Sequence, residues 1–138
     1  MGILPRRRRA VRILWALGLL LLGAARGEAS FHTEVPAGAW RALALKNLPQ
    51  GSTVRAVVRA TRPLDVAFVR QSELTAYPGG APPVFRGRVE DELLFTVIAP
   101  DEGDYALVLD NRGGPRSVTV DLRVEAARAD APPRERGL

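Results

Sequence analysis

Residues 117–125, Ser-Val-Thr-Val-Asp-Leu-Arg-Val-Glu, alternate polar and apolar without exception. Successive side chains of a strand point to opposite faces, so this run predicts a strand with one buried and one wet face. The same period of two recurs along the chain. Val54, Ala56 and Val58 alternate with Arg55, Val57 and Arg59, and Leu64, Val66 and Phe68 with Asp65, Ala67 and Val69. Leu93, Phe95 and Val97 alternate with Leu94, Thr96 and Ile98, and Tyr105, Leu107 and Leu109 with Ala106, Val108 and Asp110. Several of these runs are apolar on both faces, as a central or an interface strand is.

Strands are expected near Phe31–Val35, Trp40–Lys46, Thr53–Ala60, Leu64–Arg70, Val84–Val89, Glu92–Ile98, Asp104–Asp110 and Ser117–Glu125. Turn chemistry separates them: Pro36-Ala-Gly38, Pro49-Gln-Gly-Ser52, Arg62-Pro63, Pro100-Asp-Glu-Gly103 and Asn111-Arg-Gly-Gly-Pro115. Proline fixes its own φ and glycine supplies positive φ, so these clusters reverse the chain. No span has the helical period a βαβ unit needs, and one helical turn is expected at Ser72–Ala76 inside a longer loop. The fold class that follows is all-β: a single antiparallel β-sandwich, jelly-roll-like, of about eight strands over residues 30–125.

The N-terminus reads differently. Arg6 to Arg9 and Arg12 precede an apolar run from Ile13 to Ala25. That run is shorter than the roughly 20 residues a membrane-crossing helix needs. It suits a signal-peptide core of about 7–15 residues between positive charge and small residues. Residues 1–29 are therefore expected to be a signal helix, cut after Ala29 or after Gly27; an uncleaved anchor is the alternative. The tail 126–138, with Pro132-Pro133 and no periodicity, is expected to be disordered.

The leader also explains the net charge of +5. Six of the 20 Lys and Arg and one of the 15 acids precede Ser30, leaving 14 of each beyond it. The domain is formally neutral, which argues against a nucleic-acid partner. The chain has no cysteine, so an exported domain of this sequence relies on its apolar core without disulfides. Arginine outnumbers lysine 19 to one, and with abundant Ala, Gly and Pro this suggests a GC-rich bacterial coding sequence. The expected location is extracytoplasmic, periplasmic or secreted, with membrane contact only through the signal segment if it is kept.

Gly103-Asp-Tyr-Ala-Leu-Val-Leu-Asp-Asn111, followed by Arg116-Ser-Val-Thr-Val-Asp-Leu-Arg-Val124, resembles the end of a GOLD domain, the lumenal β-sandwich of the emp24/p24 family. Gly51-Ser-Thr-Val54 through Leu64-Asp-Val-Ala-Phe68 resembles its opening half, and the likeness spans roughly Trp40 to Glu125. Bacterial pre-peptidase C-terminal domains share this look. The chain lacks the p24 cysteine pair, coiled coil and membrane span, so the resemblance implies the fold and no cargo-receptor function.

Catalytic equipment is sparse. His32 is the single histidine, and Ser30, Ser52, Ser72 and Ser117 are the serines of the expected domain. His32 is expected in a frayed edge strand, so no nucleophile–base pair is expected and the chain is read as a non-enzyme without cofactor. Glu90-Asp91-Glu92 and Asp101-Glu102-x-Asp104 lack a defined calcium spacing and read as solvated turns. Arg55 and Arg59 share one strand face, Arg86 and Arg88 another; they read as polar faces paired with Asp65 or Glu90.

The function expected is an exported interaction module that binds a protein or an envelope polymer through loops or an edge strand. The alternative is an accessory subunit of an envelope complex held by β-strand pairing. Gln71–Pro83 is the longest stretch without strand character, and long loops tend to be functional. Its Tyr77, beside a Pro-Gly-Gly turn, is expected to point outward and to form the binding surface with Phe85 and Arg86.

Overall fold

The computed structural model describes residues 12–17 and 26–130. Nine strands form two sheets: β1 (Arg12–Leu17), β2 (Arg26–Val35), β3 (Trp40–Leu48), β4 (Thr53–Ala60), β5 (Leu64–Arg70), β6 (Phe85–Val89), β7 (Glu92–Ile98), β8 (Gly103–Asp110) and β9 (Val118–Ala127). A single 3₁₀ helix, η1 (Gln71–Ala76), follows β5 and covers the expected helical turn. Sheet A has the order β1-β3-β8-β5-β6 and sheet B the order β2-β9-β4-β7. Consecutive strands from β2 onward alternate between the sheets, except at β5–β6, giving the wrap of a jelly roll. Apart from β1, all pairings are antiparallel.

The core lies between the sheets. Val54, Ala56 and Val58 of β4 and Val118, Val120, Leu122 and Val124 of β9 face Leu43, Leu45, Val66, Phe68, Leu107 and Leu109 of sheet A. Val66, Phe68, Phe95, Tyr105, Leu107, Leu109, Val120 and Leu122 are all buried. Phe68 stacks on Tyr105 with centroids 5.2 Å apart, and Phe85 on Phe95 at 4.2 Å. The Tyr105 hydroxyl donates to the Asp101 carbonyl at 2.6 Å, so a large apolar ring is buried with its polar end satisfied. Asn111 ties the β8–β9 turn to the β2–β3 turn, its Nδ2 donating to the carbonyls of Val35, Pro36 and Arg116.

Three sequence expectations change. Arg12–Leu17, placed in a signal helix, is a strand in parallel register with Trp40–Leu45 of β3. The rest of residues 1–25 lies outside the described residues. β2 begins at Arg26, ahead of the expected cleavage points, because Arg26–Ala29 complete the ladder with Val124–Ala127 of β9. Of the residues expected in a disordered tail, Ala126 and Ala127 are buried strand residues instead, and residues 131–138 lie outside the described set. Among the described residues no helix is long and apolar enough to cross a membrane.

Candidate functional site

The outer face of sheet A is apolar and covered. Trp40, Ala42, Ala67, Val69, Ala106 and Val108 form a second buried cluster there, capped by Leu74 of η1 and by Tyr77. Tyr77 therefore turns inward, contrary to expectation. Its ring meets the Trp40 edge at 5.2 Å, and its hydroxyl donates to Asp110 Oδ2 at 2.6 Å. Arg112 grips the same carboxylate through Nε at 2.9 and 3.1 Å and Nη2 at 2.8 Å, and its guanidinium lies 5.3 Å from the Tyr77 ring centroid. The apolar outer positions of β5 and β8 explain the inversion: left uncovered they would expose a contiguous apolar patch.

Electrostatics fix this corner. Burial pushes the Asp110 carboxyl up, but the hydrogen bonds from Arg112 and Tyr77 outweigh it, so Asp110 ionises below its ordinary value. Burial raises the Tyr77 phenol, and its bond to Asp110 adds to that effect; Arg112 and Arg86 pull the other way. Tyr77, Asp110 and Arg112 thus act as a brace that pins the loop to the sheet.

Of the three residues expected to form one binding surface, Phe85 is set apart, while Arg86 lies opposite Ala67 on β5, in the neighbourhood of Tyr77. Phe85 and Arg86 are successive on β6: Phe85 points into the core against Phe95, and Arg86 is exposed. At the other end of β6, an open cleft of about 370 Å³ is flanked by Arg62, Arg88 and Arg116, with Asp65 and Asp110 in its wall. Arg88 is engaged by Asp65 at 2.9 Å and by Glu90 at 3.4 Å.

The acidic turns are engaged as well: Glu92 by Arg59, Asp101 by Arg70 and Asp104 by Lys46. No metal-ligating group of three or more carboxylates or imidazoles occurs among the described residues. His32 Nδ1 lies 2.6 Å from Asp121 Oδ1 on the exposed face of edge strand β2. The buried Ser52 hydroxyl donates to the Pro49 carbonyl at 2.6 Å.

The outer face of sheet B is built on another plan. The registers place His32, Asp121, Arg59 and Glu92 in one row across all four strands, so charges of opposite sign neighbour one another. The next row is Ser30, Arg123, Val57 and Leu94. A shallow trough of about 590 Å³ runs over these two rows. On β7, Leu94 and Ile98 are 63 % and 62 % exposed, the two large hydrophobic side chains most open to solvent among the described residues. They flank Thr96 on one face of a strand whose other edge is unpaired in the sheet. Sequence reading found their alternation with Leu93, Phe95 and Val97 but gave no reason to place them on the surface.

No family model matches the sequence, and comparison with curated proteins finds no match. Solved structures do resemble it. PliG of Aeromonas hydrophila, a periplasmic lysozyme inhibitor of g-type lysozyme, aligns over 84 % of this chain and 99 % of its own, at 14 % identity and a TM-score of 0.59. The pre-peptidase C-terminal domain of a Bacillus anthracis collagenase aligns over 86 % and 99 %, at 13 % identity and a TM-score of 0.48. The likeness is one of fold: the chain is a β-sandwich. These two likenesses do not show a GOLD domain.

Proposed function

We propose that this chain is an exported, non-catalytic interaction module that binds a protein through the outer face of sheet B. One observation carries this reading: Leu94 and Ile98 stand exposed on an edge strand, with the charged row of His32, Asp121, Arg59 and Glu92 to one side. An apolar centre with a polar rim is the make-up of a protein interface. Exposed β-rich edges are otherwise blunted by charge, and β7 carries only Glu92 on this face. The non-catalytic reading is supported by what the candidate groups already do. His32 is spent on an exposed pair with Asp121, and the Ser52 hydroxyl is buried against a carbonyl. Export is supported by the leader pattern of residues 1–29.

The finer reading is the partner. Because PliG shares the sandwich, a g-type lysozyme is the first protein to try. The reading as a whole is tested by capture from solubilised envelope, using the exported protein and its Leu94→Thr/Ile98→Thr variant. Threonine keeps strand propensity while removing apolar surface. The wild type is expected to retain a partner that the variant recovers at least tenfold less. Equal recovery by both overturns the assignment of this face. Inhibition of purified g-type lysozyme by the wild type and not by the variant identifies the partner class.

A further inference from the structure

Sheet A has an edge that its own jelly roll leaves open. Without Arg12–Leu17, the eight strands from Arg26 onward end sheet A at β3. β3 is nine residues long, and Ala42, Leu43, Ala44 and Leu45 in its middle are fully buried with β1 in place. A long apolar edge of this kind is a template for pairing with another chain, and sandwiches guard against it. Two of the other three edges carry such guards: β6 is five residues long and presents Arg86 and Arg88, and β2 presents Glu28, His32 and Glu34. β7 carries only Glu92, and its exposed apolar face is the surface proposed above. β3 carries Arg41 and Lys46 on either side of Ala42–Leu45, and that apolar middle is covered by Arg12–Leu17, six residues in unbroken parallel register with Trp40–Leu45.

We propose that the outer edge of β3 is a strand-acceptor site, filled by Arg12–Leu17 in the unprocessed chain and by an extended apolar segment of a second protein once the leader is cut away. The occupant's chemistry follows from the one that sits there. Arg-Ile-Leu-Trp-Ala-Leu is extended, apolar over five residues, and runs parallel to β3. Main-chain hydrogen bonds give such added strands their affinity, and alternate side chains give specificity. Removal of the leader thus converts a satisfied edge into an unsatisfied one, so acceptor competence appears only after export. The site is separate from Leu94 and Ile98, which lie on the other sheet, and its success or failure leaves the reading of that face untouched.

The test uses the protein recovered after export and a synthetic peptide of residues 11–18, alongside the same peptide N-methylated at alternate residues. Saturable binding of one peptide per chain is expected, with amide hydrogen exchange slowed at Trp40–Leu45. The N-methylated peptide, which cannot complete the ladder, is expected to bind at least tenfold more weakly. The Leu94→Thr/Ile98→Thr variant is expected to bind the peptide like the wild type. In the unprocessed chain, Ala16→Cys/Ala44→Cys, a register pair, is expected to close a disulfide. The proposal is overturned if no peptide binds, if both peptides bind equally, or if protection falls outside β3. It is also overturned if exported protein keeps residues 12–17, or is a dimer whose β3 edge is already protected by a second copy.

Discussion

The two outer faces of the sandwich are built from similar strands and end in opposite states. Sheet A carries Trp40, Ala42, Ala67, Val69, Ala106 and Val108 outward and hides them beneath Leu74, Tyr77 and the brace of Asp110 and Arg112. Sheet B carries His32, Asp121, Arg59 and Glu92 outward and leaves Leu94 and Ile98 bare. A strand that is apolar on both faces can therefore have either of two fates. In β5 and β8 the second apolar face is structural, because the chain supplies its own cover. In β7 no described element covers it, and a partner is proposed to.

The largest expected effect breaks the covered face. Trp40 is almost fully buried under Tyr77, and Trp40→Ala should cost about 3–5 kcal/mol, measured by urea unfolding. An unfolding free energy within 1 kcal/mol of wild type would show that the face has no structural role. Next is the brace. Asp110→Asn should cost about 1–3 kcal/mol near neutral pH, since it removes the charged acceptor of Arg112 and Tyr77. The Asp110 pKa is lowered below its ordinary value of 3.8, so its contribution is present above that pH and is lost as pH falls through the folded-state value. The gap between wild type and Asp110→Asn should therefore narrow in acid, and a gap constant down to pH 2 would contradict the assignment. Tyr77→Phe keeps the ring on Trp40 and deletes one hydrogen bond, for about 1 kcal/mol. Leu94→Thr and Ile98→Thr should each stay within about 0.5 kcal/mol of wild type, because surface residues of the free domain lose little on substitution.

Most of the sandwich was legible in the sequence because a period of two survives in most of the strands and glycine or proline marks most turns. Eight strands lie near the expected positions, with β2 and β9 longer than read. The core followed from the same pattern: Val118, Val120, Leu122 and Val124 are buried. The candidate site was less legible. Tyr77 is expected outward because a Pro-Gly-Gly turn follows it, yet Leu74 and Tyr77, three residues apart, supply the cover that Ala67, Val69, Ala106 and Val108 demand. That demand was visible as strands apolar on both faces, and it could have been matched to the one loop long enough to meet it. Phe85 and Arg86 were grouped although successive strand residues point to opposite faces. β1 was hidden by its composition, since an apolar run behind arginines reads as a leader whatever backbone it adopts.

The covered face holds the fold, while the bare face is proposed to hold the partner. The most direct measurement pairs stability with partner capture in two variants, Tyr77→Ala and Leu94→Thr/Ile98→Thr, at a temperature where both are folded. Tyr77→Ala is expected to lower the melting temperature and to recover the partner as well as wild type does. Leu94→Thr/Ile98→Thr is expected to melt like wild type and to lose the partner. Loss of the partner in Tyr77→Ala with full recovery in the β7 variant would contradict the claim.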